Sequence, residues 1–128
     1  MTPPPLRPVI VLADDLIWGT RLAATIEGLP GFTASSVRNL ADFEARVGTA
    51  GDPAIVDLTA RAYDGITAIE MAVGRGSRVL AVGQHDDIEL RRRALAAGAE
   101  RVFAYRKLFE DGPATLARWL GLSVESAG

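Results

Sequence analysis

The sequence predicts an α/β fold: a doubly wound, five-stranded parallel sheet with helices on both faces. Two observations carry this prediction. Short apolar runs rich in β-branched residues alternate five times with stretches of helical periodicity along the 128 residues. Most of the runs lack an alternation of apolar and polar residues, which is typical of strands buried on both faces of a parallel sheet. Consecutive βα units with right-handed crossovers produce such a sheet.

The five predicted strands cover residues 8–13, 32–37, 53–58, 78–82 and 101–105. The second is the weakest, because Ser35 and Ser36 interrupt its apolar character. The strands end at turn-forming residues or at the polar residues that open the next helix.

The predicted helices fill the intervals between these strands. The first carries one apolar stripe of Trp18, Leu22, Ile26 and Leu29. Asn39 is expected to cap a second helix over 40–47, and a short third helix covers 66–73. Asp86 and Glu89 have the spacing of a capping box, which opens a fourth helix that ends at Gly98. The last predicted helix is set up by Asp111, Gly112 and Pro113, with Pro113 at the first position of the helix.

Composition restricts the classes of function. The chain is 48% hydrophobic and 23% charged, has a formal net charge of −2 and contains no cysteine. The absence of cysteine excludes a disulfide scaffold, a thiolate metal site and a cysteine nucleophile. Mild acidity argues against direct binding of nucleic acid, and no apolar run is long enough to span a membrane. We expect a cytoplasmic protein with one domain over 8–122, a flexible proline-rich segment over 1–7 and a flexible tail over 123–128.

Three aspartates form the sharpest feature of the sequence. Asp14 and Asp15 follow the first predicted strand, and Asp57 lies inside the apolar third strand. If these strands are neighbours, the carboxylates converge at one edge of the sheet, where they would favour a hard cation such as Mg²⁺. Alternatively, Asp14 or Asp15 only caps the following helix. That alternative leaves Asp57 unexplained, because burying an acid is costly unless it is paired or used.

These residues resemble the receiver domain of bacterial two-component response regulators. The resemblance rests on the acidic pair after the first strand, on the Asp57…Asp64-Gly65 spacing and on the Gly98-Ala99 pair before the last strand. It implies the flavodoxin-like receiver fold, with strand order 2-1-3-4-5.

The resemblance also implies a site and partners. Asp57 would be the phosphoacceptor, and Mg²⁺ would be held by Asp14, Asp15, Asp57 and the backbone carbonyl of Thr59. The phosphoryl donor would be a histidine kinase, a phosphotransfer protein or a small phosphodonor. A downstream protein would dock on the last two helices and the fifth strand, and a homodimer is conceivable.

Several positions depart from the family pattern. Ala60-Arg61 replaces the usual Met-Pro. The switch hydroxyl expected at the end of the fourth strand falls on Gly83, and the expected lysine falls on Tyr105. A small bulge would let Arg106 or Lys107 substitute for that lysine, and Gln84 or His85 could take a secondary role near the site.

Three hypotheses follow. The first is an atypical receiver that accepts a phosphoryl group on Asp57 with Mg²⁺ and signals by docking to a protein. The second is a pseudo-receiver, an interaction module that no longer uses phosphorylation. The third, ranked last for lack of a glycine-rich phosphate loop, is a small ligand binder or enzyme that uses the same edge. The first hypothesis involves no enzyme activity beyond self-phosphorylation and autodephosphorylation of Asp57.

Overall fold

The sheet places the ends of its central strands side by side. In the computed structural model, which describes residues 5–48, 51–84 and 86–122, five parallel strands pair in the order β2-β1-β3-β4-β5. The strands are β1 (Arg7–Leu12), β2 (Phe32–Val37), β3 (Ala54–Asp57), β4 (Val79–Gly83) and β5 (Arg101–Ala104). This confirms the predicted fold class and strand order.

The central strands are buried on both faces. Every residue of β3 and β4 is buried, and so are the last four of β1. Their register pairs Leu12 with Val56, and Asp57 with Val82. The residues that follow β1 and β3 therefore emerge at the same edge of the sheet.

Five helices connect the strands, and local sequence explains most of their ends. They are α1 (Leu16–Glu27), α2 (Leu40–Val47), α3 (Gly65–Gly74), α4 (Ile88–Ala97) and α5 (Tyr105–Trp119). Asn39 caps α2 by accepting a hydrogen bond from the backbone N–H of Asp42, as predicted. Gly98 ends α4 in the left-handed region at φ 116°, which a residue with a Cβ rarely adopts.

Two apolar clusters lie on opposite faces of the sheet. Phe43 of α2, Ile69 of α3 and Ala94 of α4 pack on one face. Leu22 and Ile26 of α1, with Leu108 and Leu116 of α5, pack on the other. The helices therefore cover both faces, as a doubly wound sheet requires.

Most other element ends differ from the sequence predictions by one residue, and three differences change which residue has a structural role. Arg7 already belongs to β1, so the sheet begins inside the segment expected to be flexible. Asp87, not Asp86, caps α4, and its carboxylate accepts a hydrogen bond from Leu90 N–H at 3.0 Å. Tyr105 begins α5 instead of ending β5.

The last helix starts earlier than predicted for a specific reason. Asp111 has non-helical backbone angles, φ −145° and ψ 36°, so the residues expected to start the last helix form a break within it instead. It interrupts a helix that has already begun at Tyr105, because Leu108 is buried against the sheet and Arg106 pairs with Glu110 one turn later. Residues 1–4, 49–50, 85 and 123–128 lie outside the described part of the chain, so the predicted tail is among them. Within the described ranges no helix is long and apolar enough to cross a bilayer.

Candidate functional site

The three aspartates border one pocket at the carboxyl edge of the sheet. The pocket has a volume of about 480 Å³. It is lined by Asp14, Asp15, Trp18, Asp57, Thr59, Arg61, Gln84 and Tyr105. We call it the acid pocket. The prediction that Asp14, Asp15 and Asp57 meet at one edge of the sheet is therefore correct for the positions of these residues.

Asp57 is buried, with 2% of its surface exposed, and its two carboxylate oxygens have different surroundings. Oδ1 accepts hydrogen bonds from the backbone N–H of Thr59 at 3.0 Å, from the Thr59 hydroxyl at 2.9 Å, and from the Tyr105 hydroxyl. In the described part of the chain no donor reaches Oδ2. Asp57 itself lines the acid pocket.

Tyr105 closes the β5 side of the acid pocket. It follows Ala104, which pairs with Gly83 across the sheet, and its hydroxyl contacts both Asp57 and the Thr59 hydroxyl. Its ring packs edge-on against Trp18, with centroids 4.6 Å apart. Burial, together with the hydrogen bond to Asp57, raises the pKa of Tyr105, so the phenol remains a neutral donor around pH 7.

The carboxylates of Asp14 and Asp15 are engaged with the backbone. Asp14 accepts hydrogen bonds from the N–H groups of Arg61 at 2.8 Å and Ala62 at 3.0 Å. Asp15 caps α1 by accepting a hydrogen bond from Trp18 N–H at 2.9 Å. The capping alternative is therefore correct for Asp15, whereas Asp14 holds the loop that follows β3.

The acid pocket does not, as it stands, fit a bound magnesium ion. Oxygen donors suit a hard cation. Across residues 5–48, 51–84 and 86–122, however, no three acidic, histidine or cysteine side chains are grouped closely enough to hold a metal. Asp14 and Asp15 each use one carboxylate oxygen for the backbone, Oδ2 in Asp14 and Oδ1 in Asp15.

Three solved structures with this architecture are each described as a response regulator or its receiver domain. The chain superposes on the phosphorylated cyanobacterial phytochrome response regulator RcpA with a TM-score of 0.77 and 11% identity, over 93% of this chain and 97% of that one. The signal receiver domain of a DNA-binding response regulator from Colwellia psychrerythraea gives a TM-score of 0.76 and 18% identity, over 89% and 98%. A response regulator from Burkholderia pseudomallei gives 0.69 and 16%, over 90% and 73%; that structure holds a phosphorylated aspartic acid and a calcium ion.

The chain has the fold of a receiver domain. This agrees with the resemblance drawn from its motifs. The sequence matches no protein-family model and no curated protein. At these identities the similarity establishes the fold, and the chemistry has to be argued from the residues themselves.

Gly83 and Gln84 lie on the β4–β5 side of the acid pocket. Gly83 ends β4 and offers no hydroxyl. A Cβ at this position would lie 3.4 Å from Leu58 Cδ1, so a larger residue is sterically tolerable. Gln84 borders the acid pocket. His85 lies outside the described residues.

Neither proposed substitute for the receiver lysine reaches the acid pocket. Arg106 is exposed and pairs with Glu110 at 3.0 Å, and Lys107 lies 3.6 Å from Asp111. The bulge that would bring either of them to Asp57 is absent, because α5 starts directly at Tyr105. The expectation that Arg106 or Lys107 stands in for the lysine is therefore not met in this structure.

Sequence reasoning missed two residues of this region, Tyr63 and Trp18. The buried hydroxyl of Tyr63 lies within hydrogen-bond distance of the carbonyls of Leu12 (3.0 Å) and Asp57 (2.8 Å), so it joins the ends of β1 and β3. Its pKa is raised, chiefly by burial. Trp18 packs against the apolar cluster, as its place in the apolar stripe of α1 predicts, and it also borders the acid pocket; its indole N–H has no acceptor in the described part of the chain. The sequence signal for Tyr63 was its place at an apolar position between Asp57 and Asp64.

Proposed function

We propose that the chain is a pseudo-receiver: a non-enzymatic interaction module that keeps the receiver fold and no longer depends on phosphorylation of Asp57. The observation that carries this proposal is the hydrogen bond from the Tyr105 hydroxyl to Asp57 Oδ1, at the position where receivers place a lysine. A neutral phenol donates one hydrogen bond but brings no positive charge to offset a phosphoryl group.

Energetics support the same conclusion. A charge-assisted hydrogen bond contributes roughly 1.5–3 kcal/mol, and near-complete switching between two states requires roughly 5.5 kcal/mol of differential binding. The two groups that usually read a phosphoryl group are both missing here, because Gly83 has no side chain and Tyr105 has no ammonium. Phosphorylation would therefore have little free energy with which to move the fold.

Docking of a partner protein fits the surface of α4. Ile88 and Leu95 are 76% and 46% exposed. They lie two turns apart on one face of the helix, and Arg91 lies between them. We infer that this face binds a partner with an apolar patch next to acidic groups. α4 belongs to the surface formed by the last two helices and the fifth strand, which the receiver resemblance indicates for a downstream protein.

A phosphoacceptor role for Asp57 is the second candidate, and one specific observation favours it. In the described part of the chain Asp57 Oδ2 accepts no hydrogen bond, and Asp57 lines the acid pocket, so this oxygen is the candidate nucleophile. In this case Asp14 and Asp15 would rotate toward Asp57 and, with the carbonyl of Thr59, hold Mg²⁺. A histidine kinase, a phosphotransfer protein or a small phosphodonor would supply the phosphoryl group.

One experiment separates the two candidates. The protein is incubated with Mg²⁺ and acetyl phosphate, and its intact mass and tryptophan fluorescence are compared with those of Asp57→Asn. The pseudo-receiver predicts no phosphoryl adduct and no Mg²⁺-dependent change in the fluorescence of Trp18. An adduct that requires Mg²⁺ and is lost in Asp57→Asn would overturn the pseudo-receiver and support the phosphoacceptor.

A further inference from the structure

A cleft between α1 and α5 lies next to the acid pocket. Its volume is about 290 Å³, and Trp18 is the lining residue that it shares with the acid pocket. This volume is close to the lower end, about 300 Å³, of the usual range for small-molecule sites. We call it the α1–α5 cleft, and its lining residues include Trp18, Arg21 and Leu22 of α1 and Leu108, Phe109 and Leu116 of α5.

The walls of the α1–α5 cleft are mostly apolar. Leu22, Leu108 and Leu116 are buried and belong to one apolar cluster. Phe109 is 53% exposed, and its ring lies beside that of Trp18, with centroids 5.2 Å apart. An exposed phenylalanine in the wall of a cavity presents apolar surface that a ligand can remove from water.

Arg21 brings a positive charge to these apolar walls. Among the described residues that line the cleft, it is the charged one. Its guanidinium carbon lies 4.0 Å from the centroid of the Phe109 ring, and in the described part of the chain no carboxylate pairs with it. Stacking on the ring covers one face of the guanidinium and leaves its N–H edges for two parallel hydrogen bonds to a carboxylate. The cleft therefore combines apolar walls with one positioned cation.

We propose that the α1–α5 cleft binds a small aromatic carboxylate, whose carboxylate pairs with Arg21 and whose ring lies against Phe109 and Trp18. A carboxylate carries the single negative charge that one guanidinium balances. A phosphate monoester carries about −1.5 to −2 charges at pH 7. Part of that charge would stay unpaired beside apolar walls, which is unfavourable. This inference goes beyond the proposed function and does not depend on it.

The test measures the binding of cinnamate by calorimetry, with cinnamamide as a neutral ligand of nearly the same shape and acetate as the isolated head group. We expect cinnamate to bind at least about tenfold more tightly than cinnamamide, because only the acid pairs with Arg21. Acetate should show no measurable binding, since it has no ring to bury. In NMR spectra cinnamate should move the indole N–H signal of Trp18, whereas that of Trp119, which donates to Glu100, should stay in place.

Two variants locate the site, and both alter exposed side chains outside the apolar core. Arg21→Gln should weaken cinnamate binding by about tenfold and abolish the preference for cinnamate over cinnamamide. Phe109→Ala should weaken the binding of both ligands by at least about fivefold, because it removes apolar contact surface. Arg91→Gln is the matched control: it removes the charge of an exposed arginine on α4 and should leave both affinities unchanged. A phosphoryl adduct on Asp57, which would overturn the pseudo-receiver, does not alter these expectations.

The proposal is wrong if cinnamate does not bind at millimolar concentration or binds no more tightly than cinnamamide. It is also wrong if Arg91→Gln weakens binding as much as Arg21→Gln does, or if cinnamate moves the signal of Trp119 and leaves that of Trp18 in place. Tighter binding of a short peptide of phenylalanine and aspartate than of cinnamate would overturn it as well. That result would make the cleft a protein-docking surface.

Discussion

The two sides of the acid pocket differ in what they offer a phosphoryl group. The side formed by β1 and β3 carries Asp14, Asp15 and Asp57, and Tyr63 joins the strand ends beneath them. On the side formed by β4 and β5, Gly83 offers no side chain and Tyr105 offers a neutral hydroxyl. Under the proposed function, this difference separates holding a carboxylate in place from responding to its modification. Variants on each side test this separation.

The largest effect is expected from rebuilding the β4–β5 side. The double variant Gly83→Thr/Tyr105→Lys restores a hydroxyl and an ammonium, and a Cβ at position 83 meets Leu58 at no less than 3.4 Å. Two restored charge-assisted bonds should raise the rate of adduct formation with Mg²⁺ and acetyl phosphate by at least about tenfold. Intact-mass kinetics measure this rate. The same variant with Asp57→Asn is the control, and equal rates in wild type and double variant would show that the two replacements are not what limits phosphorylation.

The next largest effect is a difference in the free energy of unfolding between alanine substitutions at two glycines, one on each side of the acid pocket. A Cβ on Gly65 would lie 3.1 Å from Leu58 Cδ2 and 3.2 Å from Leu58 Cα, which is backbone and cannot easily move. Gly65→Ala should lower the free energy of unfolding by about 2 kcal/mol, whereas Gly83→Ala should change it by no more than about 0.5 kcal/mol. Urea denaturation measures both, and a similar loss in the two variants would contradict the difference in packing.

A smaller difference is expected between the two tyrosines. Tyr63→Phe removes the one O–H donor that lies within reach of two buried carbonyls and should cost about 1–2 kcal/mol of unfolding free energy. Tyr105→Phe should cost less than about 1 kcal/mol, because Thr59 still supplies two donors to Asp57 Oδ1. The same denaturation experiment measures both variants. A larger loss from Tyr105→Phe would mean that the β4–β5 side carries the stability of the pocket.

The last expected effect is a loss of stability at alkaline pH, which begins only above the ordinary tyrosine pKa of 10.0. Both tyrosines of the chain have a pKa raised above the ordinary value of 10.0, and burial is the largest cause for each of them. The unfolded chain therefore releases its phenolic protons first. The stabilisation is complete below pH 10.0 and is lost as the pH rises further. Tyrosinate absorbance of the native and the urea-unfolded protein measures this shift, and coincident titration curves would contradict it.

The sequence alone predicted the architecture because burial leaves a clear pattern. The bounds of β2 and α2 agree with the predictions to the residue, because their ends carry turn residues and an asparagine cap. The convergence of Asp14, Asp15 and Asp57 followed from strand order. The assignment of Asp87 as the cap of α4 did not, because Asp86 and Asp87 are adjacent and only the geometry of the loop decides between them.

The long-range partners of the aspartates could not be predicted. Asp14 with the N–H of Arg61 and Asp57 with Tyr105 are contacts between residues far apart in the chain, whereas the Asp15 cap of α1 is local and was among the expectations. Periodicity reports which face a residue occupies, but not which oxygen receives a given donor. The strand-to-helix boundary at Tyr105 was missed for a related reason. The apolar run over 101–105 fits a strand, and the helix begins where packing of Leu108 requires it.

The break at Asp111 has a mechanical consequence for α5. The stretch that begins at Tyr105 borders the acid pocket, and the stretch that contains Leu116 follows the break; Leu108 and Leu116 hold both of them in one apolar cluster. Because the helical hydrogen-bond ladder is interrupted between the two stretches, the break gives α5 a joint at which one stretch can tilt against the other.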